Sequence, residues 1–137
     1  MVVLFSACDN NEGDISARYH VLDKNGHETS VFNYGDEMVF ELVVTNTTSQ
    51  ALKVEDRLEL IGSAFIVYNS EGDMFNPIPS HALILHSETI EPGKQFRNVL
   101  IWPWDTVPLP KGKYYSTYTL NFGKKANETY TISFEVK

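Results

Sequence analysis

The residues from Thr129 to Val136 alternate strictly between large apolar and polar side chains. Tyr130, Ile132, Phe134 and Val136 would point to one side of an extended chain, and threonine, serine and glutamate fill the positions between them. Such a repeat of two residues is the period of a β-strand with one buried face, whereas an amphipathic helix repeats every 3.6 residues. The alternation therefore predicts half-buried strands and constrains the fold more than any other feature.

The same alternation recurs along the chain. It is clear from Tyr114 to Phe122 and from Glu37 to Asn46, and no window shows a helical stripe over three turns. In the region from Tyr114 to Phe122, the even-numbered residues are expected to face the core. Shorter runs predict further strands at Ala17–Leu22, Leu52–Val54, Phe65–Tyr68, Leu83–His86 and Phe96–Trp102.

Turn-forming residues separate these runs at fairly even intervals. Asn25-Gly26 predicts a hairpin with a type I′ turn, because both residues accept positive φ. Prolines, which cannot donate to a ladder, fall in two longer connections, Met74–Ser80 and Pro103–Pro110. Short strands divided by Gly and Pro turns predict an all-β fold, an immunoglobulin-like antiparallel β-sandwich of about seven to nine strands.

The length of 137 residues suits one domain. Residues 15–137 are predicted to form the sandwich, and residues 1–14 a flexible acidic tether. The formal net charge of −7 argues against nucleic acid as a partner, because phosphates require a basic patch.

The lone cysteine, Cys8, follows an apolar stretch that ends in the small residues Ser6 and Ala7. This order resembles the signal of a bacterial lipoprotein, in which the thiol receives diacylglycerol and further acyl chains anchor the protein. The acidic residues that follow, Asp9 to Asp14, resemble the surface-export signal of Bacteroidetes lipoproteins, although a plain spacer explains them equally. The alternative for Cys8 is a buried free thiol at a strand end.

Five segments, in order, resemble the intracellular proteinase inhibitor (BsuPI-like) family of immunoglobulin-like sandwiches. Gly35–Asn46 is similar to that family's "G-D-x-V-x-F-x-L-x-V-x-N" strand. The others are Phe65–Gly72, Ile90–Gly93, Trp102 and Pro110–Tyr114, so that the likeness spans about residues 31 to 122. The sequence departs from the pattern at Leu60–Ile66 and at Met74-Phe75. The resemblance implies a sandwich and a protease-inhibiting loop.

No motif for nucleophilic, metal-dependent or phosphate chemistry occurs in the sequence. His81 and His86 are five residues apart, so on one strand they would face opposite sides and could not share a metal ion. Acidic groups such as Asp36, Glu37 and Glu41 alternate with apolar residues, and we expect them on a solvated outer face. We therefore predict no enzyme activity, no cofactor and no metal site.

Two proline-containing segments are candidate binding loops. Trp102-Pro103-Trp104-Asp105 forms a rigid aromatic segment suited to a contact surface or to stacking on a sugar, although Trp102 can instead belong to the core. Asn76-Pro77-Ile78-Pro79 would be held extended by its prolines, as the substrate-like loop of an inhibitor should be.

These observations leave two functions open. One is a non-catalytic lipoprotein of the bacterial cell envelope, possessing an immunoglobulin-like domain that binds an unknown protein or glycan. Its finer location would be the outer-membrane surface. The other is a proteinase inhibitor that presents a proline-containing loop to a protease.

Overall fold

The computed structural model describes residues 15–56, 65–77, 86–120 and 128–137. Cys8 and the rest of the predicted tether lie outside these residues, as do Ile78, Pro79 and His81. The described residues form strands and turns without a helix, so the fold is all-β as predicted. They contain no helix of the length and apolarity needed to span a membrane.

Ten strands occur in the described residues, one more than the upper limit predicted. The two that the sequence did not predict, β2 and β6, have two residues each, which is too short for a period to be read. The strands are β1 (Ile15–Leu22), β2 (Val31–Phe32), β3 (Val39–Asn46), β4 (Leu52–Asp56), β5 (Ile66–Asn69), β6 (Met74–Phe75), β7 (His86–Ile90), β8 (Gln95–Ile101), β9 (Gly112–Thr119) and β10 (Thr129–Val136).

The strands form two main sheets and a short extension. The first sheet has the order β1-β3-β8, and the second has the order β2-β10-β9-β5-β6. Strands β4 and β7 pair with each other in a separate two-stranded ladder. All pairings are antiparallel except that of β2 with β10, which is parallel. The chain passes from β1 in the first sheet to β2 in the second, so its N-terminal region contributes an edge to each sheet.

The core lies between the inner faces of the two main sheets. The even-numbered residues of β3 are fully buried, as are Met38 before it and Leu120 after β9. The rings of Phe40 in the first sheet and Phe134 in the second lie 5.7 Å apart, edge to face. The three clear alternation patterns are therefore confirmed in the described residues, with the apolar rows of β3, β9 and β10 facing the core, while Phe122 lies outside those residues. Packing of two such inner faces defines a sandwich.

Tyr114 supplies a further mark of the fold. It lies near the start of β9, and its hydroxyl donates a hydrogen bond to the carbonyl of Pro110, four residues earlier. This arrangement, the tyrosine corner, is a hallmark of immunoglobulin-like sandwiches. The predicted immunoglobulin-like β-sandwich is therefore confirmed.

The first hairpin differs from its predicted turn type. Only Gly26 has a positive φ, of 83°, whereas a type I′ turn needs two such residues. The amide of Gly26 donates to the carbonyl of Asp23, and the Asp23 carboxylate accepts the amides of Asn25 and His27. These local bonds favour a longer loop with a single left-handed glycine.

Candidate functional site

Trp102, one of the candidate binding residues, belongs to the core. Its side chain is 2% exposed, and its ring centroid lies 5.6 Å from that of Phe40. The indole Nε1 donates to the Val107 carbonyl at 2.7 Å. A side chain placed in this way holds the 102–107 turn onto the sandwich and is not available as a contact surface.

Trp104 is partly buried at one end of the sandwich. Its ring centroid lies 5.2 Å from that of Tyr34, which is 53% exposed, and its Nε1 donates to the Asp36 carbonyl at 2.7 Å. Asp105 is exposed at the tip of the turn. Within the turn, the Pro103 carbonyl accepts the amides of both Thr106 and Val107.

Only the beginning of the second candidate loop lies in the described residues. Asn76 is exposed and Pro77 is partly buried, and they follow β6 directly. Because β6 and β2 are opposite edges of the five-stranded sheet, Asn76 and Pro77 are far from Trp104, which packs beside the residues after β2. The described part of the second loop therefore does not share a surface with Trp104.

The outer face of the five-stranded sheet carries a pair of tyrosines that the sequence did not single out. Tyr68 on β5 lies opposite Tyr115 on β9, and their rings stack at 5.0 Å with an angle of 18° between their planes. Alternation predicted the outward direction of Tyr115. Its pairing with Tyr68 follows only from the register between two strands that are distant in sequence.

Beside this pair runs a trough, which we call the Tyr115 trough. Tyr115 on β9 borders it beside Ser133 on the intervening strand β10, and Val31 on β2 borders it beside Glu135, two residues further along β10. Because the sides stand on β9 and β2, two strand spacings of about 4.8 Å separate their backbones. The trough is open to solvent and has a volume of about 360 Å³. Tyr115 is 37% exposed and Val31 48% exposed.

A second, more polar cleft adjoins the trough where β1 approaches β10. It encloses about 520 Å³ and shares Ser30 and Ser133 with the trough. Its other lining residues are His20, Val21, Glu28, Thr29 and Ile132. Glu28 accepts a hydrogen bond from Arg18 at 2.5 Å, and both side chains are exposed.

Glu41 was expected on a solvated face, but its side chain is only 9% exposed. His20 on β1 lies within 2.6 Å of one carboxylate oxygen, and Arg97 on β8 donates to the other at 2.6 Å. The expectation was wrong because His20 and Arg97, on the two neighbouring strands, cover the carboxylate and stabilise its negative charge. Burial raises the pKa of Glu41, but the hydrogen bonds from His20 and Arg97 outweigh it, so the pKa is lower than the usual value.

The environment of Glu41 can be compared with that of a general acid. A general acid needs a raised pKa and an oxygen that faces substrate. Both oxygens of Glu41 are already bonded within the sheet, which suits a structural ion pair. In the part of the chain that the structure describes, no group of three His, Cys, Asp or Glu residues is placed to hold a metal ion.

The sequence matches no protein-family model and no curated protein. Among solved structures, it is similar to a β-glucosidase from Listeria innocua in complex with glucose, with 11% identity and a TM-score of 0.49 over 89% of this chain. It is also similar to the β-glucosidase EmGH1 from Erythrobacter marinus, with 12% identity and a TM-score of 0.47 over 90% of this chain.

A third similar structure is a candidate lipoprotein, ycdA, from Bacillus subtilis, with 20% identity and a TM-score of 0.39 over 88% of this chain. This chain covers 16% of each β-glucosidase and 34% of the ycdA protein. It therefore spans well under half the length of each of these proteins. At such identities and scores, the comparisons say nothing about what this chain binds or does.

Proposed function

We propose that this chain is a non-catalytic binding module of the bacterial cell envelope, tethered by lipid on Cys8, whose ligand lies in the Tyr115 trough. The observation that carries the proposal is the trough itself, which has an exposed tyrosine, an exposed valine and the exposed Ser133 on the outer face of a β-sheet. Sites built on strands hold their side chains more precisely than sites on loops.

Tyr115 has the properties of a binding residue. One face of its ring is fixed by stacking on Tyr68, so little side-chain entropy remains to be lost when a ligand binds the other face. The ring is large, amphipathic and partly exposed, and tyrosine is enriched among residues that contribute most to interfaces. Ligand binding here needs no rearrangement of the core.

The tether is supported by the sequence alone. Ser6-Ala7-Cys8 matches the small residues and thiol of a lipoprotein signal, and an acidic segment separates Cys8 from β1. The test is labelling of cells with an alkyne fatty acid, followed by membrane fractionation. We expect the label and membrane association to be lost in Cys8→Ala. An unlabelled wild-type protein, or a Cys8→Ala variant that stays equally membrane-bound, would contradict the tether.

Binding is tested with the ¹⁵N-labelled domain and two probe sets, neutral hexasaccharides and a library of unstructured decapeptides. We expect one set to shift the amide signals of Tyr115, Ser133 and Val31, and Tyr115→Ala to remove those shifts. Tyr34→Ala is the matched control, because Tyr34 is an exposed tyrosine outside the trough lining. If neither set shifts trough signals at millimolar concentration, the proposed function is wrong.

The inhibitor alternative rests on the resemblance to the BsuPI-like family and on the segment Asn76–Pro79, half of which lies outside the described residues. Its test is residual activity of a panel of serine proteases mixed with micromolar domain. Full residual activity throughout the panel would contradict it.

A further inference from the structure

We infer that the ligand of the Tyr115 trough is a neutral oligosaccharide, which lies along β10 with one sugar ring against Tyr115 and the next in the polar cleft. This inference rests on the proposed function and adds the chemical class of the ligand to it. Four features of the lining carry the argument, namely its aromatic side, its hydroxyl groups, its charge balance and its continuity.

The aromatic side of the trough matches the apolar face of a sugar ring. Tyr68 and Ser133 lie on strands at opposite sides of Tyr115, so stacking on Tyr68 leaves the second ring face directed toward the trough. The face of an aromatic ring carries partial negative charge, which attracts the slightly positive C–H groups of a pyranose. Val31 bounds the ligand on the other side.

The floor and ends of the trough match sugar hydroxyls. Ser30, Ser70 and Ser133 line the trough, and Thr29 lines the adjoining cleft. A serine or threonine hydroxyl both donates and accepts hydrogen bonds, as each sugar hydroxyl does. The small side chain of Ser133, the register partner of Tyr115, leaves room for a sugar ring against the Tyr115 side of the trough.

The charges along the lining are balanced and favour a neutral ligand. Lys113 and Glu135 line the trough and are register partners on neighbouring strands. In the cleft, Glu28 is paired with Arg18, and His20 is bonded to Glu41. An anionic or cationic ligand would gain attraction from one member of each pair and repulsion from the other, whereas an uncharged polyhydroxyl chain suffers neither.

The continuity of the two cavities sets the size of the ligand. Each has a volume in the range of small-molecule sites, roughly 300 to 1,000 Å³. Because they share Ser30 and Ser133, a ligand can extend from one to the other. A chain of two or more sugar rings uses both cavities.

A peptide strand is less well matched to this surface. Peptides that extend a sheet bind its edge through backbone hydrogen bonds. The Tyr115 side and the serine floor lie on the sheet face, where the main-chain groups of β9 and β10 already bond to each other. The experiment therefore includes peptides, so that peptide binding can be distinguished from saccharide binding.

The experiment is saturation-transfer difference NMR with the full chain in detergent or with residues 15–137. The probes are cellohexaose, maltohexaose, xylohexaose and chitohexaose, a sulfated heparin hexasaccharide and the decapeptide library. We expect transfer to ring protons of at least one neutral hexasaccharide and weaker binding of the sulfated one. The affinity of the best neutral probe should fall about tenfold or more in Tyr115→Ala.

A second variant protects the test against misfolding. Ser133 is exposed, so Ser133→Leu should fold and should raise the floor of the trough, with a loss of about tenfold or more in affinity. Tyr34→Ala should leave the affinity within about twofold, since Tyr34 does not line either cavity. Circular dichroism of each variant confirms folding.

The outcomes separate the inference from the proposed function. If the amide signals of the trough residues shift with decapeptides but with no neutral hexasaccharide, the inference of a saccharide ligand is wrong and the proposed binding module stands. Saccharide binding that survives both Tyr115→Ala and Ser133→Leu places the site elsewhere and overturns the inference. Binding of neither probe set overturns both.

Discussion

Glu41 illustrates how the surroundings of a residue decide its role. It belongs to the polar row of β3, yet His20 and Arg97 from the two neighbouring strands enclose its carboxylate. Removing Glu41 leaves the buried ring of His20 without its hydrogen-bonding partner, whereas Arg97, whose side chain is 57% exposed, remains solvated. The cluster therefore stabilises the three-stranded sheet across all of its strands.

Replacing Glu41 by glutamine should lower the free energy of unfolding at pH 7 by about 2 kcal/mol, because the charged hydrogen bonds to His20 and Arg97 are lost. The pKa of Glu41 is depressed in the folded state from its usual 4.5. Its contribution is therefore complete above pH 4.5 and is lost as the pH falls through the folded pKa. Urea titrations of both proteins between pH 7 and pH 2.5 measure this.

The matched control for Glu41→Gln is Glu28→Gln, which removes an ion pair whose side chains are 66% and 56% exposed. Exposed pairs contribute little, so we expect a change below about 1 kcal/mol at every pH. A loss in Glu41→Gln that stays constant down to pH 2.5 would contradict the assignment of the carboxylate charge.

Asn46 links several elements at the end of β3. Its side chain is fully buried and donates to the carbonyls of Gln50 and Ile90, both at 2.8 Å. Its Oδ1 accepts the amide and the hydroxyl of Thr48. One side chain thus holds the bend between β3 and β4 and joins it to β7.

Replacing Asn46 by alanine should lower the free energy of unfolding by about 3 kcal/mol, because it removes these bonds and leaves the Ile90 carbonyl without its donor. Asn46→Asp keeps both acceptor bonds and loses the donors, so it separates the two contributions. Chemical denaturation measures both variants. A loss below about 1 kcal/mol in Asn46→Ala would show that the bend forms without this side chain.

The 102–107 turn is held by two indoles that differ in burial. Each Nε1 donates to a backbone carbonyl at 2.7 Å, that of Trp102 to Val107 and that of Trp104 to Asp36. Trp102 is in the core, whereas Trp104 lies against the half-exposed ring of Tyr34.

We expect Trp102→Phe to destabilise the protein more than Trp104→Phe. The Trp102 ring is buried against Phe40, so its replacement removes core packing as well as a hydrogen bond, and we expect a loss of about 2 kcal/mol. Water can replace the Trp104 donor near the surface, so we expect a loss below about 1 kcal/mol for Trp104→Phe. Thermal and urea unfolding measure the pair. Equal losses would mean that Trp104 is as much a core residue as Trp102.

The two sheets share a single aromatic core. Phe40 of the first sheet contacts both Trp102 and Phe134, and Tyr19 contacts Tyr118 across the same interface at 5.7 Å. The Tyr19 hydroxyl bonds to Ser116 at 2.7 Å, and Ser116 donates to the Ile66 carbonyl. Neither sheet can bury its inner face without the other.

Unfolding of the described domain should therefore be a single cooperative transition. We expect far-ultraviolet circular dichroism, which reports the sheets, and tryptophan fluorescence, which reports the 102–107 turn, to give the same midpoint in urea. A turn that unfolds at lower urea than the sheets would show that Trp102 does not share the common core.

The sequence by itself determined the class of fold and the direction of most side chains. Alternation is a local property, so it identified the buried rows of β3, β9 and β10 and the outward position of Tyr115. The strand predicted at Leu83–His86 is observed as β7 at His86–Ile90, and residues 83–85 lie outside the described ones. A short alternating segment contains too few repeats for the ends of its strand to be predicted from sequence.

Only the tertiary structure decided which residues meet. The stacking of Tyr68 on Tyr115, the enclosure of Glu41 and the trough between β9 and β2 depend on strand order and register between segments far apart in sequence. Those pairings are set by the packing of two whole sheets against each other. The alternation of side chains along a strand does not indicate which strand pairs with it. The residues that line the candidate site could therefore be identified only from the tertiary structure.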